Sequence, residues 1–297
     1  MPIPNASYWL REHNKLHKRI DLDADALDAL YRAKLRQINK QIEAFYAKYA
    51  VDNIITVEQA KTMLTPREFS IFNNKLKYWI KDGSYSNDLS FMASLDRMVG
   101  VSKIDRLQRL ETEITANLSE LKQTQLISME DSLIKTYEET ENAVINVSDV
   151  EFKQTSEYKI RVVINTEFQG RRFSPRVWSE RSHMTTKVKK TLMDNFVSGN
   201  NWNELNTDLK RTFGVSDYEA RRLLVTETAR INSVAKESSF INAGYEYYQY
   251  ISVDDDRTTD ICNNLDDKVF RFSEMVVGVN APPTHVYCRS TIVPYMA

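Results

Sequence analysis

"YEYYQYISV", residues 245–253, is the stretch that decides the fold class. Tyr245, Tyr247, Gln249 and Ile251 alternate with Glu246, Tyr248, Tyr250 and Ser252, the period of two that marks a strand. The polar run "DDDRTTDICNNLDDKVF" (254–270) comes next, with four aspartates and an arginine in its first seven residues. Its start reads as a polar turn that is not helical, and "KVFRF" (268–272) reads as a short strand. "VNAPPTHVYCRST" (279–291) then returns as an extended segment, because Pro282 and Pro283 both disfavour helix. Upstream the strong periodicities are helical. The expected class is therefore α+β, with a mainly helical N-terminal half and a compact mixed α/β C-terminal module. The expected division is a helical partner-binding region over residues 1–150 and the C-terminal module over 151–297.

The helical half is read from spacing. Leu27, Tyr31, Leu35, Ile38, Ile42, Phe45 and Tyr49 recur at steps of three and four, one face of an amphipathic helix. Thr56 with Gln59, and Thr65-Pro66 with Glu68, are capping boxes, the second with proline where its missing N–H costs nothing. "KDGSYSND" (81–88) is a loop. Leu107, Leu110, Ile114, Leu118 and Leu121 mark a long helix that continues to about residue 141. None of these helices carries a chemical cluster. His13 and His17 share a helix face but lack further ligands, so they read as a solvated basic helix start.

Composition narrows the function classes. The 297 residues carry a net charge of −1, which argues against uniform coating of nucleic acid. No apolar run is long enough for a membrane span, and "MPIPNASYWLREHNKLHKRI" (1–20) lacks the apolar core of a secretory signal. Two cysteines make no disulfide framework, so a reducing cytosol is the expected compartment during folding. Seven glycines argue against glycine-rich phosphate loops.

The second half holds the features with chemical potential. "EYKIRVVINTEF" (157–168) reads as a strand from its β-branched run, or as a strongly apolar helix segment. Residues 171–190 hold seven Lys/Arg and one Glu, net +6. Arg171, Arg172, Arg176, Lys187, Lys189 and Lys190 are the candidate phosphate contacts, weighed against a solvated helix start after Pro175. Gly199-Asn200 is read as ending one helix and Gly214 the next, with Ser216 and Glu219 boxing the start of a third that ends near Gly244. Within it, "VTETAR" (225–230) sets Glu227 and Arg230 on one face, either as a surface ion pair or with Glu227 turned inward to organise the segment after the helix.

Four blocks together, "SGNNWNELNTDL" (198–209), "VTETAR", "DDDRTTDICNNLDDKVF" and "APPTHVYCRS" (281–290), resemble the Mu F-like minor head proteins, also called phage head morphogenesis proteins. "YWLREH" (8–13) is similar to the minor capsid proteins of tailed phages. Val225 stands where the family often has arginine, Asp267 where it usually has glycine, and Ser290 where a further cysteine often stands. Aspartate tolerates positive φ better than most residues, so the turn at Asp267 is expected to survive. The resemblance implies a structural protein of the virion head, made in the host cytoplasm. It implies few copies, association with the portal protein and other head proteins, and a role in assembly or alongside DNA. No membrane is involved.

Cys262, His285 and Cys288 are expected to converge, because the hairpin around "LDDKVF" turns the chain back on itself. The expected result is a structural clasp, held by hydrogen bonds from His285 to an aspartate, by a Cys262–Cys288 disulfide, or by a metal ion. No cofactor is required, zinc being one of these options. Arg257 is the expected ionic partner of Glu227, with Asp256 in the same loop. Two other functions compete: DNA binding through residues 171–190, and a metal-dependent hydrolase using Cys262, His285, Cys288 and Asp254 to Asp256. The 22- and 2-residue gaps between the three candidate ligands match no common zinc pattern.

Overall fold

The computed structural model describes residues 5–83, 85–150, 152–253 and 258–296, the side chain of Arg181 excepted. Its helices are α1 (Ala6–Tyr49), α2 (Val57–Ala60), α3 (Pro66–Asp82), α4 (Leu89–Val99), α5 (Arg106–Ile145), α6 (Glu157–Ile164), α7 (Phe173–Ser198), α8 (Trp202–Asn242) and α9 (Asp260–Leu265). A small antiparallel sheet near the C-terminus has the order β2-β1-β3, from β1 (Tyr247–Ile251), β2 (Val269–Arg271) and β3 (Thr291–Tyr295). The α+β class stands. Among the described residues, no helix is long and apolar enough to cross a membrane.

The chain forms two compact units, each discontinuous in sequence. One comprises Met1–Leu27, Ile127–Ser174 and Glu219–Ala297, and the other Asp28–Leu126 and Pro175–Tyr218. These units do not follow a cut at residue 150, since α1 and α5 each give residues to both. The second unit buries Phe72 and Leu76 from α3, Phe91 and Leu95 from α4, and Ile104 just before α5. It also encloses Lys122, whose ammonium donates to Gln125 Oε1 at 2.7 Å and to the Tyr31 hydroxyl. The first unit holds the sheet and, around it, Trp9, Phe240, Tyr248, Tyr250 and Phe272.

Local rules explain most elements. Thr56 and Thr65 cap α2 and α3 reciprocally with Gln59 and Glu68, and Pro66 opens α3. Leu107, Leu110, Ile114, Leu118 and Leu121 are all buried along α5. Gly199 ends α7 at φ +65°, a conformation that glycine adopts without a Cβ clash.

Three readings change. Residues 157–164 are helical, not a strand. Ile160 and Ile164, four apart, are buried while Val162 is exposed, and Glu157 pairs with Arg161 one turn on at 2.8 Å. Tertiary burial at helical spacing outweighs the β preference of the run. Gly214 does not end a helix, because α8 runs through it. Leu205, Leu209, Phe213, Ala220 and Leu224 keep one buried face across the exposed glycine. Residues 260–265 form α9 instead of continuing the polar turn, with the Thr259 hydroxyl accepting from the Cys262 N–H.

Candidate functional site

Three elements of the first unit bring the C-terminal cluster together. The strand β1 points Tyr248 and Tyr250 inward by its alternation. The first turn of α9 presents Cys262, which is fully buried. The hairpin between α9 and β2 turns at Asp267, whose φ is +59°, so aspartate does occupy the glycine-type position. Between β2 and β3 the segment 279–290 is a series of turns, not one extended run. That difference matters, because a turn lets His285 and Cys288 face the same point, whereas a strand would point them apart.

The three ligating atoms of Cys262, His285 and Cys288 lie within 4.8 Å of one another. The two sulfurs are 3.9 Å apart, and both cysteines are free. The imidazole Nε2 stands 3.1 Å from Cys262 Sγ. His285 Nδ1–H donates to the Val286 carbonyl at 2.8 Å, which fixes the ring and turns Nε2 towards the sulfurs. The Tyr250 hydroxyl donates to Cys262 Sγ at 3.3 Å, and Thr284 Oγ1 is 3.2 Å from the same sulfur and 3.8 Å from Cys288 Sγ. The Cys288 thiol beside it holds the Cys262 thiol down at about 3, while that contact and burial push Cys288 up.

"VTETAR" braces this cluster from α8. Thr226 Oγ1 accepts the Tyr287 N–H at 3.3 Å, at a residue whose own φ is +60°. Glu227 and Arg230 are both buried, with Arg230 Nε donating to Glu227 Oε2 at 2.7 Å. Arg230 also donates to the carbonyls of Val163 and Ile164 at 3.2 and 2.8 Å. It therefore satisfies the last carbonyls of α6, which have no partner within their own helix. Glu227 does face inward. Asp256 and Arg257, and with them the expected Glu227–Arg257 pair, lie outside the described residues, as do Asp254 and Asp255.

Sequence reading missed a second polar group in the same unit. His13 and His17 are buried, not solvated, because the chain near Arg289 covers them. His13 Nε2–H donates to the Arg289 carbonyl at 2.7 Å, with His17 Nε2 3.0 Å away. A carbonyl accepts only, so His13 carries its proton on Nε2 and leaves Nδ1 as a buried acceptor with no hydrogen bond. Burial holds its pKa well below the usual histidine range. Lys236 is buried beside it and donates to Thr291 Oγ1 at 2.5 Å and to the Ile292 carbonyl at 2.9 Å, with its pKa lowered by burial to about 7. A cavity of about 460 Å³ borders both groups. A buried lysine is invisible in sequence, since only the long-range position of β3 encloses it.

The basic segment is mixed in exposure. Arg171, Arg172, Lys187 and Lys190 are exposed, whereas Arg176 and Lys189 are half-buried. Lys189 lies 3.8 Å from Glu111, so part of its charge is offset.

No curated protein and no solved structure matches the chain. The match that does exist spans α8, β1, α9, β2 and most of the return into β3. Residues 186–293 match the family model described as Phage Mu protein F like protein, and this part of the chain belongs to that family of phage head proteins.

Proposed function

We propose that the chain is a minor structural protein of a tailed-phage head, associated with the portal vertex and acting in head assembly, with a place beside the packaged DNA. The match over residues 186–293 carries this reading. The buried fastening of the matched region supports it. Glu227, Arg230, Cys262 and Cys288 are enclosed, as befits groups that hold a fold together.

Partner contacts are assigned to the helical region within residues 1–150. Ile71 and Tyr78 lie seven apart on α3, both more than half exposed, and Leu89 is 79% exposed at the start of α4. Deleting residues 1–150 would not test this cleanly. It removes Trp9, Leu16, Ile20 and Leu133, which are buried in the unit that also holds residues 219–297. The test is capture of the full chain by co-expressed portal protein, with and without Ile71→Glu, Tyr78→Glu and Leu89→Glu. Retention of the full chain and loss with the triple variant are expected. Failure of the unaltered chain to bind contradicts the portal assignment.

Exposure of Arg171, Arg172, Lys187 and Lys190 favours a second, compatible reading, weak DNA binding by phosphate contact. Replacing Arg171, Arg172, Lys189 and Lys190 with Gln is expected to flatten the salt dependence of binding, since each lost contact releases fewer counterions. Tight binding indifferent to these changes contradicts it.

A further inference from the structure

We propose that Cys262, Cys288 and His285 bind one zinc ion, which fastens α9 to the segment leading into β3. The geometry of the donors carries the inference. Zinc takes thiolate at about 2.3 Å in a tetrahedral site, which sets two sulfurs on one ion about 3.8 Å apart. The two sulfurs here stand 3.9 Å apart. A disulfide needs about 2.05 Å, so the same pair would have to close to roughly half its separation to bridge.

The imidazole is prepared for the same role. Its Nδ1–H is engaged by the Val286 carbonyl, so the lone pair of Nε2 is the one aimed at the sulfurs. Metal-binding histidines are held in this way, the far nitrogen donating to a carbonyl while the near one ligates. Hydroxyls complete the surroundings. Tyr250 and Thr284 stand within hydrogen-bonding reach of Cys262 Sγ, where they offset the charge of a bound thiolate. Two thiolates and one imidazole match the +2 ion in charge and suit zinc in ligand type and geometry. Three protein donors leave the fourth position to solvent, on the half-exposed side marked by His285.

The ion would do in a reducing compartment what a disulfide does outside the cell. It closes the loop from Cys262 to Cys288 and couples metal binding to folding of the sheet. This claim is independent of portal binding, and its test reads metal directly. The full chain, purified under reducing conditions with zinc supplied and then passed into metal-free buffer, is expected to retain about one zinc per chain by plasma mass spectrometry. Cys288→Ser and Cys262→Ser are expected to lose it, and His285→Cys to keep it.

Because a variant can fail to fold, the unaltered chain stripped of metal is also titrated with Co²⁺. Tetrahedral cobalt bound by thiolate gives intense near-ultraviolet charge-transfer absorption and visible bands. Appearance of both, and their displacement by zinc, is expected. Absence of retained zinc together with absence of these bands overturns the proposal. So does an intact Cys262–Cys288 disulfide in the reduced preparation.

Discussion

Thr226 Oγ1 accepts the backbone N–H of Tyr287 at 3.3 Å, joining the middle of α8 to the residue beside Cys288. Tyr287 sits at φ +60°, a conformation that side-chain-bearing residues adopt only when held. Thr226→Val keeps the shape and removes the acceptor. It is expected to cost about 1–3 kcal/mol in denaturant unfolding, the penalty for an unpaired buried donor. Thr226→Ser is expected to restore most of it. Equal stability of all three proteins would mean that the contact does not brace the loop.

The buried Glu227–Arg230 pair should behave as a unit. Removing one partner of a buried ion pair costs about 3–5 kcal/mol, because the other charge stays enclosed without its counterion. Arg230→Met also frees the carbonyls of Val163 and Ile164. The double variant Glu227→Leu/Arg230→Met is expected to be more stable than Arg230→Met alone, as read from urea midpoints. Strict additivity of the two single losses would contradict the pairing.

Lys236 and His13 make stability depend on pH with a definite sign. Folded Lys236 releases its proton at about 7, whereas an unfolded lysine keeps it to 10.5. Between those values unfolding takes up a proton, so raising the pH disfavours unfolding. Below about 7 both states are protonated and the penalty is complete. His13, also lowered by burial and by neighbouring His17 and Lys236, adds a loss of stability as pH falls through and below 6.5. Thermal stability is therefore expected to rise from pH 6 to about pH 9. Lys236→Met is expected to flatten the upper part of that rise, and an unchanged profile in this variant would refute the assignment.

Backbone conformation gives two sharper substitutions. Gly214 lies inside α8, and a Cβ built there meets nothing within 4 Å. Gly214→Ala is expected to stabilise the chain by about 0.5–1 kcal/mol, because a helical glycine loses more backbone freedom than alanine. If Gly214 instead ended a helix, alanine would destabilise. At Asp267, φ +59° predicts that glycine is tolerated while Asp267→Val costs about 1–2 kcal/mol. Differential scanning fluorimetry distinguishes the two variants.

Local signals were readable and enclosed ones were not. The faces of α1 and α5 and the boxes at Thr56 and Thr65 rest on contacts three or four residues apart, which spacing displays. The run Ile160–Ile164 misleads because its side chains favour a strand until tertiary contacts choose two positions four apart. Gly214 followed by Ser216 and Glu219 imitates a stop and a restart, yet the apolar face of α8 continues. The convergence of Cys262, His285 and Cys288 comes from the hairpin and the prolines. Burial of His13, His17 and Lys236 depends on residues 289–292, far along the chain from α1 and outside any local pattern.

The most direct test of the head assignment is the composition of purified phage heads. Heads assembled with and without this chain, separated by sedimentation and measured by quantitative mass spectrometry, give its copy number against the portal protein. The account expects the chain in the heads at a low, fixed ratio to portal, with fewer complete heads when it is missing. Heads that form normally without it, and carry none of it when it is supplied, would contradict the account.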